Sequence, residues 1–195
     1  MIARINPFSA LQDLGRRRFL VGTGATLSAA AVALMAGRPA LAAGQGSKDD
    51  NLETDVRILN TALGAELEAI AAYAVGAGSG LLQKPVLDLA VQFQGHHKEH
   101  AEVLAKTIRN LGGTPVEARE RYQFPTDGLK TQNDVLGFAA GLERGAVSAY
   151  LGAVPLFRGR ELASAAASIL GDEAMHWAIL RQALGQDPVP TAFMS

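Results

Sequence analysis

The chain has 195 residues, 48% of them hydrophobic and 19% charged, which is enough apolar material for one globular domain and too much for a disordered chain. It contains no cysteine, so disulfides, thiolate metal sites, iron–sulfur clusters and a cysteine nucleophile are excluded, and any metal must be held by nitrogen and oxygen. The net charge of -1 offers no basic field. Setting aside residues 1–42, which carry five basic residues and one acid, leaves 13 Lys and Arg against 18 Asp and Glu, so nucleic acid and anionic membrane are not expected partners.

At the front, Arg16-Arg17-Arg18-Phe19-Leu20 precedes a mildly apolar run from Val21 to Gly37 and the small-x-small site Ala40-Leu41-Ala42. This pattern reads as a secretory signal peptide over residues 1–42. The paired arginines, and the dilution of the run by Gly22, Thr23, Gly24 and Thr26, resemble a twin-arginine export signal. The resemblance implies recognition by the twin-arginine export machinery and a periplasmic or otherwise exported protein. An uncleaved membrane anchor is the alternative, although the run barely reaches the length needed to span a bilayer. Residues 43–50 read as a polar tether.

From Asn51 to Val75, Val56, Leu59, Leu63, Leu67, Ile70 and Val75 recur at helical spacing, and Gly76, Gly78 and Gly80 are expected to stop the helix. A second helix opens at Pro85, passes Leu89, Phe93, Val103, Leu104 and Ile108, and ends at Gly112-Gly113. About twenty residues up to Gln132 then contain Pro115, Pro125 and Gly128 and show no convincing helix or strand, a connection long enough to need a reason. Asn133 or Asp134 is the expected cap of a third helix through Leu136, Leu142, Val147 and Leu151, which yields at Pro155. A fourth runs from near Arg160 through Leu162, Ile169, Met175, Ile179 and Leu184 to Gly185, with the tail 188–195 beyond. Two short turns and one long link make two antiparallel hairpins joined by a crossover, the connectivity of a ferritin-like four-helix bundle over residues 51–187. Topology alone leaves an ordinary all-α bundle open.

An internal repeat separates the two. Gly64-x-Glu66 with Tyr73 recurs as Gly141-x-Glu143 with Tyr150, an offset of 77, and His97-x-x-His100 recurs as Glu173-x-x-His176, an offset of 76. Ionised Glu inside apolar helices costs several kcal/mol unless paired or metal-bound. Residues three apart share a helical face, so Glu173 and His176, like His97 and His100, can each reach a single ion. At 1.5 Å per residue, Glu66 lies about 18 Å from its helix end and His97 about 20 Å from the next helix start; Glu143 and Glu173 give about 17 and 21 Å. All six side chains are expected to converge near mid-bundle.

These motifs, with the Leu-Gly-Gly-Thr-Pro turn at 111–115, resemble the ferritin-like superfamily, most closely its exported members, including those named for desiccation. Its di-metal members supply a Glu from each of two helices and a Glu-x-x-His pair from each of the other two. The resemblance implies the metal ligands Glu66, His97, His100, Glu143, Glu173 and His176. One position departs: His97 stands where the pattern has Glu, in a place where that Glu commonly bridges two metals. A neutral imidazole normally binds one ion through one nitrogen, so the expectation is one Fe, Mn or Zn ion, or an asymmetric pair.

Other residues carry blander expectations. His96, four before His100, could replace His97 as a ligand but is expected to face solvent, and Glu68 and Glu99 are expected to be exposed. Tyr73 and Tyr150, two turns from Glu66 and Glu143 on the same faces, should pack in the core with satisfied hydroxyls, the alternative being hydrogen bonding behind the ligands or a redox part, and Trp177 should pack. The expected function is binding of one or two transition-metal ions, with oxidation of the metal by oxygen or peroxide if it is redox-active. The alternative is a metal-free structural or desiccation-protective bundle in which the polar residues bond to one another. A homodimer is left open.

Overall fold

The structure is a computed structural model that describes residues 48–194; the segment expected to be an export signal and most of the expected tether lie outside the described residues. Among the described residues four helices follow one another: α1 (Lys48–Gly78), α2 (Lys84–Asn110), α3 (Gln132–Ala153) and α4 (Arg160–Ala183), with single 3-10 turns at Thr126–Gly128 and Val154–Leu156. No strand occurs among the described residues. The molecule is all-α, as the periodicity predicts.

Helix ends differ from expectation in instructive ways. α1 begins at Lys48, so the last residues of the expected tether are helical. It also runs through Gly76, which serves close packing: a Cβ there would sit 3.2 Å from Val135 Cγ1 on α3. The chain turns at Gly80, whose φ of 71° suits glycine alone. The cap of α3 is Thr131, not Asn133 or Asp134. Its Oγ1 accepts from Asp134 N at 3.2 Å, while the Asp134 carboxylate accepts from Thr131 N at 2.8 Å, a reciprocal capping box. Asp134 is thus the third residue of the helix, where an acid completes the box.

α1 packs along α2 and α3 along α4, and the hairpins join chiefly through α1 and α3. The crossover leaves α2 beside the first half of α1, where Asn60 donates to Thr114 O at 3.0 Å and accepts from Val116 N at 2.8 Å. It arrives at the far end, where Gln83 N donates to Gln132 Oε1 at 2.9 Å. Asn60 and Gly76 are about 24 Å apart along α1, so the connection has to run most of the bundle's length and its size is explained. At the opposite end, buried Asp55 accepts from Arg158 N at 2.9 Å and Gly159 N at 3.1 Å, tying α1 to the uncapped start of α4.

The core divides in two. One apolar cluster contains Leu59, Leu63, Leu104, Ile108 and Ile169, and the other contains Phe93, Leu136, Ala140 and Leu180. A layer of buried acids and imidazoles lies between them in sequence on every helix. Four apolar residues read as part of the helical stripes are exposed: Val103 (53%), Leu151 (41%), Met175 (58%) and Ile179 (39%). Each neighbours a buried residue, namely Leu104, Tyr150, His176 and Leu180, and one step along a helix turns a side chain by about 100°.

Candidate metal centre

The antiparallel run of α1 against α3 and of α2 against α4 brings the repeated motifs face to face. All six expected ligands meet in the interior. Glu66, His97, Glu143, Glu173 and His176 are at most 3% exposed, and the His100 side chain is 15% exposed. They form two overlapping groups, Glu66, His97, His100 and Glu173 on one side and His97, Glu143, Glu173 and His176 on the other, each with ligand atoms within 4.8 Å of one another.

Glu173 and His97 belong to both groups. Glu173 turns Oε1 toward His100 Nδ1 (3.2 Å) and Oε2 toward His176 Nδ1 (3.6 Å). His97 sits across from it with Nδ1 2.9 Å from Glu66 Oε2 and Nε2 3.3 Å from Glu143 Oε1. The imidazole therefore stands where a second bridging carboxylate is expected, with one nitrogen toward each group.

Two tyrosines complete the set by crossing between hairpins. Tyr150 on α3 donates to Glu66 Oε1 on α1 at 2.6 Å, and Tyr73 on α1 donates to Glu143 Oε1 on α3. Packing with satisfied hydroxyls is what the sequence predicts; that the partners are the acids of the opposite hairpin it does not show. A continuous chain results, Tyr150–Glu66–His97–Glu143–Tyr73. Burial and the adjacent carboxylates push both phenols well above their usual range.

Charge accumulates accordingly. Burial by itself pulls His97 down, but hydrogen bonds to Glu143 and Glu66 outweigh it and raise the imidazole to about 11. His100 and His176 rise to about 9 against the same burial, His100 through Glu173 and Glu66 and His176 through Glu143 and Glu173. Although burial works the other way, the nearby His176 imidazole and the hydrogen bond to His97 hold Glu143 below the usual carboxylate range.

Among the described residues, five buried side-chain atoms make no hydrogen bond: both oxygens of Glu173, Glu143 Oε2, His100 Nδ1 and His176 Nδ1. A wholly buried carboxylate with neither oxygen hydrogen-bonded is costly, and orphaned atoms of alternating acid and imidazole type are the donor set of a nitrogen–oxygen metal site. The residues therefore fit a metal, with Glu173 at the centre of the set.

Two neighbours differ from expectation or were not foreseen. His96 does not simply face solvent: its side chain is 34% exposed, with Nδ1 2.9 Å from His176 Nε2 and 3.1 Å from Asp172 Oδ2. Asp172, 22% exposed, also lies 3.2 Å from His176 Nε2 and 3.4 Å from His100 Nε2. Asp172 is not among the residues expected at the centre, although the 76-residue offset that pairs His100 with His176 also pairs His96 with it. Glu68 is half-buried rather than exposed; burial raises its carboxyl, and the charge of Arg119 on the crossover lowers it by less. Glu99 is exposed as expected. Trp177 packs against the second apolar cluster and lies under the Arg181 guanidinium, 5.3 Å from its ring centre.

Solved structures share this architecture. A Mycobacterium tuberculosis protein, rv2844, is 22% identical with a TM-score of 0.64, covering 73% of this chain and 99% of its own. A Bacteroides fragilis bacterioferritin-related protein, described as a dodecameric thioferritin, is 25% identical with a TM-score of 0.60, covering 69% and 86%. A Bacillus anthracis protein described as ferritin-like and diiron-carboxylate is 21% identical with a TM-score of 0.61, covering 71% and 99%. The first and third establish the fold alone. No curated protein matches the sequence. The family model of the ferritin-like domain matches residues 54–186, which spans all four helices and every residue of the centre: the chain belongs to the ferritin-like domain family.

Proposed function

We propose that this is an exported ferritin-like protein that binds one or two transition-metal ions, Fe, Mn or Zn, between its four helices. The observation that carries the reading is Glu173, wholly buried with neither oxygen hydrogen-bonded and an orphaned imidazole nitrogen facing each. Glu66, His100 and Glu173 would hold one ion, and Glu143, Glu173 and His176 another, with the neutral imidazole of His97 serving one of the two. The B. anthracis neighbour, described as a diiron-carboxylate protein, supports iron among the candidates. A bound redox-active ion supplies oxidation chemistry with oxygen or peroxide. The chain's own part is to present three carboxylates, which favour a higher oxidation state, and to fix two of them through the tyrosine hydroxyls. His97 has to release a proton before either nitrogen can bind. Export rests on the arginine pair and the apolar run before Ala42.

A second reading is favoured by His97 itself. Its contacts with Glu66 and Glu143 let an imidazolium neutralise those acids without any metal, as a protective bundle requires. Elemental analysis of protein folded in the cytoplasm, beside a Glu173→Ala/His176→Ala variant, decides between them. Stoichiometric metal lost in the variant supports the metal centre. A metal-free wild type of undiminished stability supports the structural bundle.

A further inference from the structure

Besides the two inner groups the described residues hold one further cluster with metal-binding geometry, which shares His176 with them: His96 on α2 with Asp172 and His176 on α4. Nδ1 of His96, Oδ2 of Asp172 and Nε2 of His176 form a triangle with edges of 2.9, 3.1 and 3.2 Å. Bonds of 2.0–2.1 Å in a tetrahedral site set ligand atoms about 3.3 Å apart, so each edge is within a few tenths of an ångström of one face of such a site. The three atoms come from two helices, so no single turn of helix accounts for their meeting.

The cluster is set apart by exposure. His96 and Asp172 are 34% and 22% exposed, while Glu173 behind them is wholly buried. His176 stands between the two regions. Its Nδ1 faces Glu143 and Glu173, and its Nε2 faces His96 and Asp172. The repeat explains the placement: one residue before each inner pair, the first half carries His96 and the second carries Asp172, and the antiparallel run of α2 and α4 brings both to the same opening.

We propose that His96, Asp172 and His176 form an outer binding site for a divalent transition-metal ion at the water-facing edge of the bundle centre. Two imidazoles and one carboxylate suit a borderline cation such as Zn²⁺, Co²⁺ or Fe²⁺ and leave a fourth position open to water. Binding at Nε2 leaves the His176 proton on Nδ1, where the carboxylates of Glu143 and Glu173 face it. The outer site does not compete for the Glu66, His97, His100 and Glu173 group, which lacks His176. It does compete for the group that contains it, a consequence that rests on the metal-binding function proposed above. The competing account of the cluster is a hydrogen-bonded network in which Asp172 only orients the imidazoles around it.

Co²⁺ titration of the metal-free full chain separates the two accounts. In a Glu66→Gln/Glu143→Gln background, which withdraws an acid from each inner group, one Co²⁺ per chain should bind with visible absorption. Adding His96→Ala should weaken that binding at least tenfold. A folded Gln variant that binds no Co²⁺, or a His96→Ala change without effect on affinity, overturns the outer site. A second measurement on the wild type covers a Gln variant that fails to fold. With ¹⁵N-labelled histidine, excess Zn²⁺ should shift the His96 Nδ1 resonance, and an unmoved resonance overturns the proposal. Failure of the inner centre in its own elemental analysis leaves these readouts unchanged, so the two ideas fall separately.

Discussion

Replacing Tyr150 by Phe removes one hydroxyl and almost nothing else, because the ring is 4% exposed and packed in the first apolar cluster. Glu66 Oε1 then loses the donor that holds it at 2.6 Å and stays buried. A hydrogen bond to a charged acceptor contributes about 1.5–3 kcal/mol, so metal-free protein should lose about that much stability. At this chain size a 2 kcal/mol loss lowers the melting temperature by about 4–8 °C. Tyr73→Phe, acting on Glu143 from the opposite hairpin, should cost a similar amount. The two sites are joined through His97, which contacts both acids. The double variant should therefore depart from additivity by more than about 0.5 kcal/mol, the scatter usual for independent sites. Urea unfolding of the wild type, both single variants and the double variant measures the cycle. Single losses below about 0.5 kcal/mol, or strict additivity, would refute the continuous chain through His97.

Three further outcomes follow from the structure. Asp55→Ala leaves Arg158 N and Gly159 N without their carboxylate and should cost about 2–4 kcal/mol in urea unfolding, with Asp55→Asn losing less because its amide oxygen still accepts. For pH, three imidazoles are raised in the folded state, His100 and His176 to about 9 and His97 to about 11, from 6.5. The folded metal-free protein holds these protons more tightly than the unfolded chain, so their contribution is complete below about 6.5 and is lost as pH climbs through about 9 and then 11. The urea midpoint of metal-free protein should fall between pH 7 and pH 10. Metal affinity should move the opposite way, rising with pH as the imidazoles give up their protons, and equilibrium dialysis at two pH values checks it.

How much could be read in advance depended on whether a residue's role was set within its own helix. Glu173 and His176 share a face by spacing alone, and the offsets of 76 and 77 carried the six inner residues to one level without coordinates. Roles that depend on an opposite element were hidden. Thr131 caps α3 because Asp134 lies three residues later, a pattern that was visible but competed with Asn133 and Asp134 as caps in the same stretch. Asp55 serves the start of α4, over a hundred residues away, and nothing near it in sequence says so. His96 and Asp172 point along the gap between α2 and α4, whose width is decided by how two hairpins dock, and helix periodicity carries no information on that. The crossed tyrosine pairs needed the antiparallel docking of α1 on α3 as well.

The division of the hydrophobic interior into two plugs has a kinetic consequence. Apolar clusters of Leu, Ile and Phe lie toward both ends of the bundle, while His96 and Asp172, on α2 and α4, leave the polar stratum partly open to water at 34% and 22% exposure. Exchange of solutes with that stratum should then depend on sideways breathing of α2 against α4 at this seam. A covalent staple across that seam would slow the traffic while leaving the equilibrium architecture alone.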